Sequence, residues 1–187
     1  RLAELSEDDS IWLFNSNRIY IPMGQYQLAQ QNVDHLRKAE MEQYSKELDH
    51  LQAEIWLASG DLDSFNQWTD SFKEDTQKGA ERFYRGYASL SKEKWKYAIE
   101  DLNKSLELVR HSNPNMVNGF TIRIQLFLAR AYQGLGNQLK YSHYLEVVDN
   151  ELIKLNNQGF GSQTTRYQQA ALAALRGDKQ QAISLLR

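Results

Sequence analysis

The chain has 187 residues and a mass of 21.8 kDa, the length of one ordinary domain or a short repeat array. Apolar residues at 41% and charged residues at 25% argue against wholesale disorder, and the absence of cysteine excludes disulfide scaffolds, thiol catalysis, cysteine-held zinc and iron–sulfur clusters. With 22 basic and 24 acidic residues the net charge is −2, a poor footprint for general nucleic-acid binding, and no apolar run approaches the ~20 residues of a membrane span.

Only two prolines occur, Pro22 and Pro114, which favours long helices. From the N-terminus, Ile19-Tyr20-Ile21 before Pro22 is the nearest candidate for a strand, and it is short. Beyond it the apolar spacing is helical. Met41, Tyr44, Leu48, Leu51, Ile55 and Ala58 alternate steps of three and four and form one stripe of a long helix. Trp95, Ala98, Ile99, Leu102, Leu106 and Val109 repeat that spacing, as do Val117, Phe120, Ile124, Phe127, Ala131 and Leu135, then Tyr141, Leu145, Val148, Leu152 and Leu155. Each stripe reads as packing core. Gly24, Ser59-Gly60-Asp61, Asn113-Pro114-Asn115, Gly134-Leu135-Gly136-Asn137, Asn156 to Ser162 and Gly177-Asp178 are the helix stops and starts. The chain opens on Arg1 and closes on Arg187 within an apolar pattern, so it is read as a piece of a longer protein.

Catalytic and metal signatures are weak. His35, His50, His111 and His143 never stand three or four apart, so no helix face presents two imidazoles to one metal. Gly134-x-Gly136 and Gly159-x-Gly161 lack what a phosphate cradle needs and read as helix terminators. Asp61 reads as a helix cap rather than the start of a calcium loop. Asn103-Lys104-Ser105, a formal glycosylation acceptor, sits inside a predicted helix. Glu100-Asp101 and Glu40/Glu42 read as solvated charge, and Lys92, Lys94 and Lys96 with Arg82 and Arg85 as a screened basic patch beside Tyr87. No catalytic residue, cofactor or metal is expected.

Self-similarity is more informative. Leu128-Ala129-x-Ala131-Tyr132-x-x-Leu135-Gly136-Asn137 shares its layout with Ala170-Ala171-Leu172-Ala173-Ala174-Leu175-Arg176-Gly177-Asp178 and with Ala53-Glu54-Ile55-Trp56-Leu57-Ala58-Ser59-Gly60-Asp61. Gly86-Tyr87-Ala88 followed by Trp95, Ala98, Ile99, Leu102 and Leu106 fills a fourth unit, and Gly24-Gln25-Tyr26 with Ala29 and Val33 a first. The turns, with Glu93-Lys94 standing in for a missing glycine, recur at intervals of about 33 to 43 residues.

These segments resemble tetratricopeptide repeats. The resemblance implies an all-α solenoid of about five antiparallel helix pairs over 1–187, with longer repeats than usual: weak over 1–38, fair over 46–110 and clearer over 122–187. Phe65 and Tyr141 fall where the family keeps alanine, so those pairs are expected further apart or rotated. By resemblance the groove-facing residues are Phe83, Tyr87, Arg123, Arg130 and Tyr167, residue types that suit recognition by combining area with directional donors. A chaperone-tail clamp is not expected, because Arg123, Leu126 and Arg130 occupy its places.

The implied function is a scaffold binding a partner protein or peptide, with no enzyme activity, no direct nucleic-acid contact, no membrane span and a homodimer formed through open array ends. The stretch from Gly159 onward is loosely similar to the repeat arrays of bacterial winged-helix regulators and cyclase-like signalling proteins. The alternative is therefore a sensory domain relaying a signal to an attached domain. An enzyme with residues scattered over several repeats is the third reading. The compartment stays open between cytoplasm, which is favoured, and periplasm.

Overall fold

The computed structural model describes residues 7–39, 45–112, 118–159 and 163–186. Among the described residues every regular element is an α-helix: α1 (Glu7–Tyr20), α2 (Tyr26–Lys38), α3 (Ser45–Ser59), α4 (Leu62–Asp70), α5 (Gly79–Ser91), α6 (Trp95–Ser112), α7 (Gly119–Gly134), α8 (Gln138–Asn157), α9 (Gln163–Leu175) and α10 (Lys179–Leu186). The strand candidate is a helix end. Ile19 and Tyr20 close α1, and the Ile21 N–H donates to the Asn17 carbonyl at 3.0 Å in the helical pattern.

The helices are punctuated by turns of one kind. After α3, α5, α7 and α9 the N–H of Asp61, Lys94, Asn137 and Asp178 reaches back to the carbonyl of Trp56, Ser89, Tyr132 and Ala173, at 2.8–2.9 Å. That closure needs a left-handed residue just before the donor. Gly60, Gly136 and Gly177 supply it with φ of 81°, 74° and 84°, and Glu93 stands in at φ 54°, as the sequence anticipates. The donor residue then starts the next helix. Asp61, Asn137 and Asp178 each accept from a backbone N–H three residues on, so Asp61 is a cap. Gly134 is different: it stays inside α7, and a Cβ there would lie 2.5 Å from the Trp95 ring. Of Gly134 and Gly136, both read as terminators, only Gly136 is one; Gly159, φ 79°, follows the end of α8, and Gly161 lies outside the described residues.

Contacts group the chain into two compact units, Arg1–Trp68 and Thr69–Arg187. In the first, Ala29, Val33 and Leu36 of α2 pack on Leu48, Leu51 and Ile55 of α3, flanked by Leu13, Phe14 and Tyr20. Met41 and Tyr44 of the predicted stripe lie outside the described residues, and Ala58 is exposed. Polar pairs set the helix register: Asn32 donates to Ser16 Oγ (2.8 Å) and Asn17 Oδ1 (3.1 Å), and the Gln30 and Gln52 amides bond reciprocally. Trp56 and Trp68 meet at 6.0 Å, bringing α4 onto α3, and Phe65 is fully buried.

In the second unit α5 packs on α6 and α7, α7 on α6, α8 and α9, and α9 on α8 and α10. The helices α5, α7 and α9 are thus neighbours in order, and each also holds the helix that follows it. Gly86 lets α6 approach, since a Cβ would lie 2.7 Å from Leu102 Cγ. The α8 stripe is buried in full, with Tyr141, Leu145, Val148, Leu152 and Leu155 packed on Ile122, Leu126 and Ala129 of α7. Each large aliphatic side chain so buried contributes roughly 1.5–3 kcal/mol. The Tyr141 hydroxyl donates to the Leu175 carbonyl.

Candidate functional site

The sequence of α7, GFTIRIQLFLARAYQG, is apolar around most of its circumference. Asn118 fixes its start through a reciprocal cap with Thr121. Buried residues, among them Ile122, Ile124, Gln125, Leu128 and Ala129, then occupy every face but one up to Ala131. Phe120, Arg123, Phe127, Arg130 and Gly134, spaced by three and four, form the stripe that stays partly or wholly exposed.

Rings from α5 meet this stripe. Phe83 contacts Phe120 edge-on at 4.9 Å and stacks on Phe127 at 5.7 Å, and Tyr87 contacts Phe127 at 4.9 Å. The Arg123 guanidinium lies 5.4 Å over the Phe83 ring. Two turns on, the Arg130 guanidinium lies 5.5 Å over Trp95 and donates to Gln133 Oε1 at 2.8 Å. Burial pushes the Tyr87 phenol above its usual pKa of 10.0, and the positive charge of Arg123 partly opposes that.

Three of the five residues expected at a groove therefore come together: Phe83, Tyr87 and Arg123. Arg130 lies on the same α7 stripe, nearer its end. Tyr167 stands on α9, 55% exposed, and among the described residues makes no ring contact with the cluster. Phe83 is 1% exposed, so it forms the floor of the face, and Tyr87, Phe120, Arg123 and Phe127 form its surface. Sequence reasoning placed Phe120 and Phe127 in the core. The signal against that was present: arginines at 123 and 130 interleave with them at helical spacing.

Asp101, Arg82 and Arg85 have structural partners. Asp101, read as solvated, is 4% exposed and pairs with Arg82 at 2.6 Å and Arg85 at 3.4 Å. Arg82 also donates to the Thr76 carbonyl, and Arg85 to the carbonyls of Lys73 and Glu74, so the segment leading into α5 is strapped to α6. These two arginines are not a screened surface patch. A cleft of about 350 Å³ opens beside them, lined by charges of both signs, including Asp70 and Lys92 at 3.8 Å. Ser105 of the formal glycosylation acceptor is fully buried and donates to the Gly79 carbonyl at 2.7 Å. Among the described residues no three His, Cys, Asp or Glu side chains gather as a metal site, and no helix is long and apolar enough to cross a membrane. Comparison with protein-family models, curated proteins and solved structures finds no match to this chain.

Proposed function

We propose that the unit Thr69–Arg187 is a tetratricopeptide-like interaction module that binds a partner polypeptide across α5 and α7, and that it works by binding rather than catalysis. The order of helix contacts and the recurring glycine-type turns support the repeat reading. One observation carries the binding role: up to its last turn, α7 buries its circumference except for a stripe that carries Phe120, Arg123, Phe127 and Arg130. Aromatic and arginine side chains grouped on one face are the composition of recognition surfaces. Stacked rings over a buried floor are also rigid, which lowers the entropy cost of association.

Peptides selected from a random displayed library on the intact protein test this reading. Selected peptides are expected to lose at least about tenfold in affinity on Tyr87→Ala, and to be unaffected by Leu139→Ala, which alters an 82% exposed side chain on α8. Selection of no peptide, or of peptides indifferent to Tyr87→Ala, would remove the proposal.

A further inference from the structure

The recurring turns of the second unit allow its helix pairs to be compared position by position. The cleft beside Arg85 and a second cleft, of about 240 Å³ between α8 and α10, are built from the same places. Arg85, Ala88, Ser89, Lys92, Tyr97 and Asp101 line the first, at fixed offsets from the turn residue Glu93. Residues at the same six offsets from Gly177 line the second: Gln169, Leu172, Ala173, Arg176, Gln181 and Leu185. In each cleft the cation just before the turn residue pairs with an Asp of an earlier helix, Lys92 with Asp70 at 3.8 Å and Arg176 with Asp149 at 2.8 Å. The helix pair that turns at Gly136 lies between them in the chain. It carries Tyr132 where the others have Ser89 and Ala173, and Tyr144 where they have Asp101 and Leu185. These two rings stack at 5.7 Å, 14° from parallel, and the Tyr144 hydroxyl donates to Asn103 Oδ1 of α6 at 3.2 Å. The interval between α6 and α8 is thus filled by the chain's own phenols. In the first cleft the place of Tyr144 is taken by Asp101 with its two arginines. Between α8 and α10 the two places hold only Ala173 and the half-buried Leu185, beside Leu152 and Leu172.

From this internal equivalence we infer that the α8–α10 cleft binds a small, uncharged, single-ring aromatic molecule, in the place that Tyr132 and Tyr144 occupy in the preceding helix pair. Its volume is below the roughly 300 Å³ at which pockets for drug-sized ligands begin, which suits one ring. Leu152, Leu172, Ala173 and Leu185 give the ring an apolar bed. The charged lining residues are Asp149 and Arg176, and they pair with each other, so a charged ligand would find no spare counter-ion. The side-chain amides of Asn156, Gln169 and Gln181 stand at the cleft with no hydrogen-bond partner among the described residues. They can donate to or accept from a hydroxyl or amide on the ring. Helices wall the cleft on two sides and α9 forms its floor, so a free ring is held without a polypeptide to carry it. No residue of the α5–α7 face lines this cleft, and the inference does not depend on the reading of that face.

Amide and methyl NMR of the intact chain tests this, with p-cresol (the tyrosine side chain as a free molecule), 4-methylcyclohexanol and 4-methylbenzoate as probes. p-Cresol is expected to give saturable shifts centred on Leu152, Leu172, Ala173 and Leu185, with a Kd of about 1 mM or lower. It is expected to bind at least about threefold more tightly than the other two. Ala173→Tyr with Leu185→Tyr, which rebuilds the pair seen at Tyr132 and Tyr144, is expected to abolish those shifts. Leu139→Ala, at an 82% exposed side chain of α8, is expected to leave them intact. If the double variant does not fold, Leu185→Tyr alone is read, since Leu185 is only half-buried, and a loss of at least about threefold in affinity is expected. Shifts that are absent, that do not saturate or that centre on other residues would overturn the site. Equal binding of 4-methylcyclohexanol would overturn the aromatic assignment, and equal binding of 4-methylbenzoate the uncharged one. A dimer in sedimentation that Leu185→Tyr dissociates would give the cleft to a second copy of the chain and overturn the small-molecule assignment.

Discussion

Glu93 holds a left-handed backbone, φ 54°, in a turn that uses glycine at positions 24, 60, 136 and 177, and the next residue, Lys94, has no side-chain acceptor with which to cap α6. A side chain in that region costs about 1 kcal/mol, and a missing cap about as much. Glu93→Gly is expected to stabilise the protein by about 1 kcal/mol, and Lys94→Asn by about 0.5–1 kcal/mol, both read from urea unfolding midpoints. The helical glycines have the opposite sign. Gly86→Ala, ordinarily favourable in a helix interior, is expected to destabilise by about 1–3 kcal/mol, because its Cβ meets Leu102 at 2.7 Å. Turn glycines were legible in the sequence because their cause is local: a hydrogen bond between residues five apart. Gly134 was not, because the ring that crowds it comes from another helix, and Gly86 was legible only as part of a repeated pattern.

At the level of elements, the strap of Arg82 and Arg85 onto Asp101 joins α5, α6 and the segment before them. Asp101→Ala leaves two guanidinium groups without their carboxylate, one of them buried, and is expected to cost about 3–5 kcal/mol in thermal or urea unfolding. The burial of Asp101 has a sequence signature. It stands three residues after Ala98 and four before Ser105, both fully buried, so it lies along the seam of α6. The α7 face is harder to read from sequence for a related reason. Apolar periodicity marks a boundary between two sides of a helix, and α7 is apolar nearly all round, so spacing alone does not say which aromatic residues are left outside. The arginines were the better guide, and they were placed by resemblance rather than by pattern. Helix existence, by contrast, followed from periodicity alone, and α8 buries its whole predicted stripe.

Over the second unit as a whole, long-range polar ties cross between helices: Ser105 to Gly79, Tyr144 to Asn103, Gln168 to Gly119 and Arg110 to Glu151. Two of the phenols in this unit resist ionisation. Burial raises Tyr87, with Arg123 opposing, and burial raises Tyr144, with Tyr132 adding to it and Arg110 opposing. An unfolded chain releases these protons near pH 10.0 while the folded one keeps them, so stability is unaffected below that value and falls as pH rises above it. Tyr87→Phe and Tyr144→Phe are each expected to flatten that alkaline fall in urea midpoints measured on either side of pH 10, whatever constant offset the lost hydroxyl adds. The seat of Trp95 against Gly134 has a practical consequence. Trp12, Trp56 and Trp68 all belong to the first unit, which leaves Trp95 as the lone indole of Thr69–Arg187. Replacing the other three with phenylalanine would yield a protein whose intrinsic fluorescence comes from one wedge between α6 and the last turn of α7, so that its emission colour reports when those two helices part.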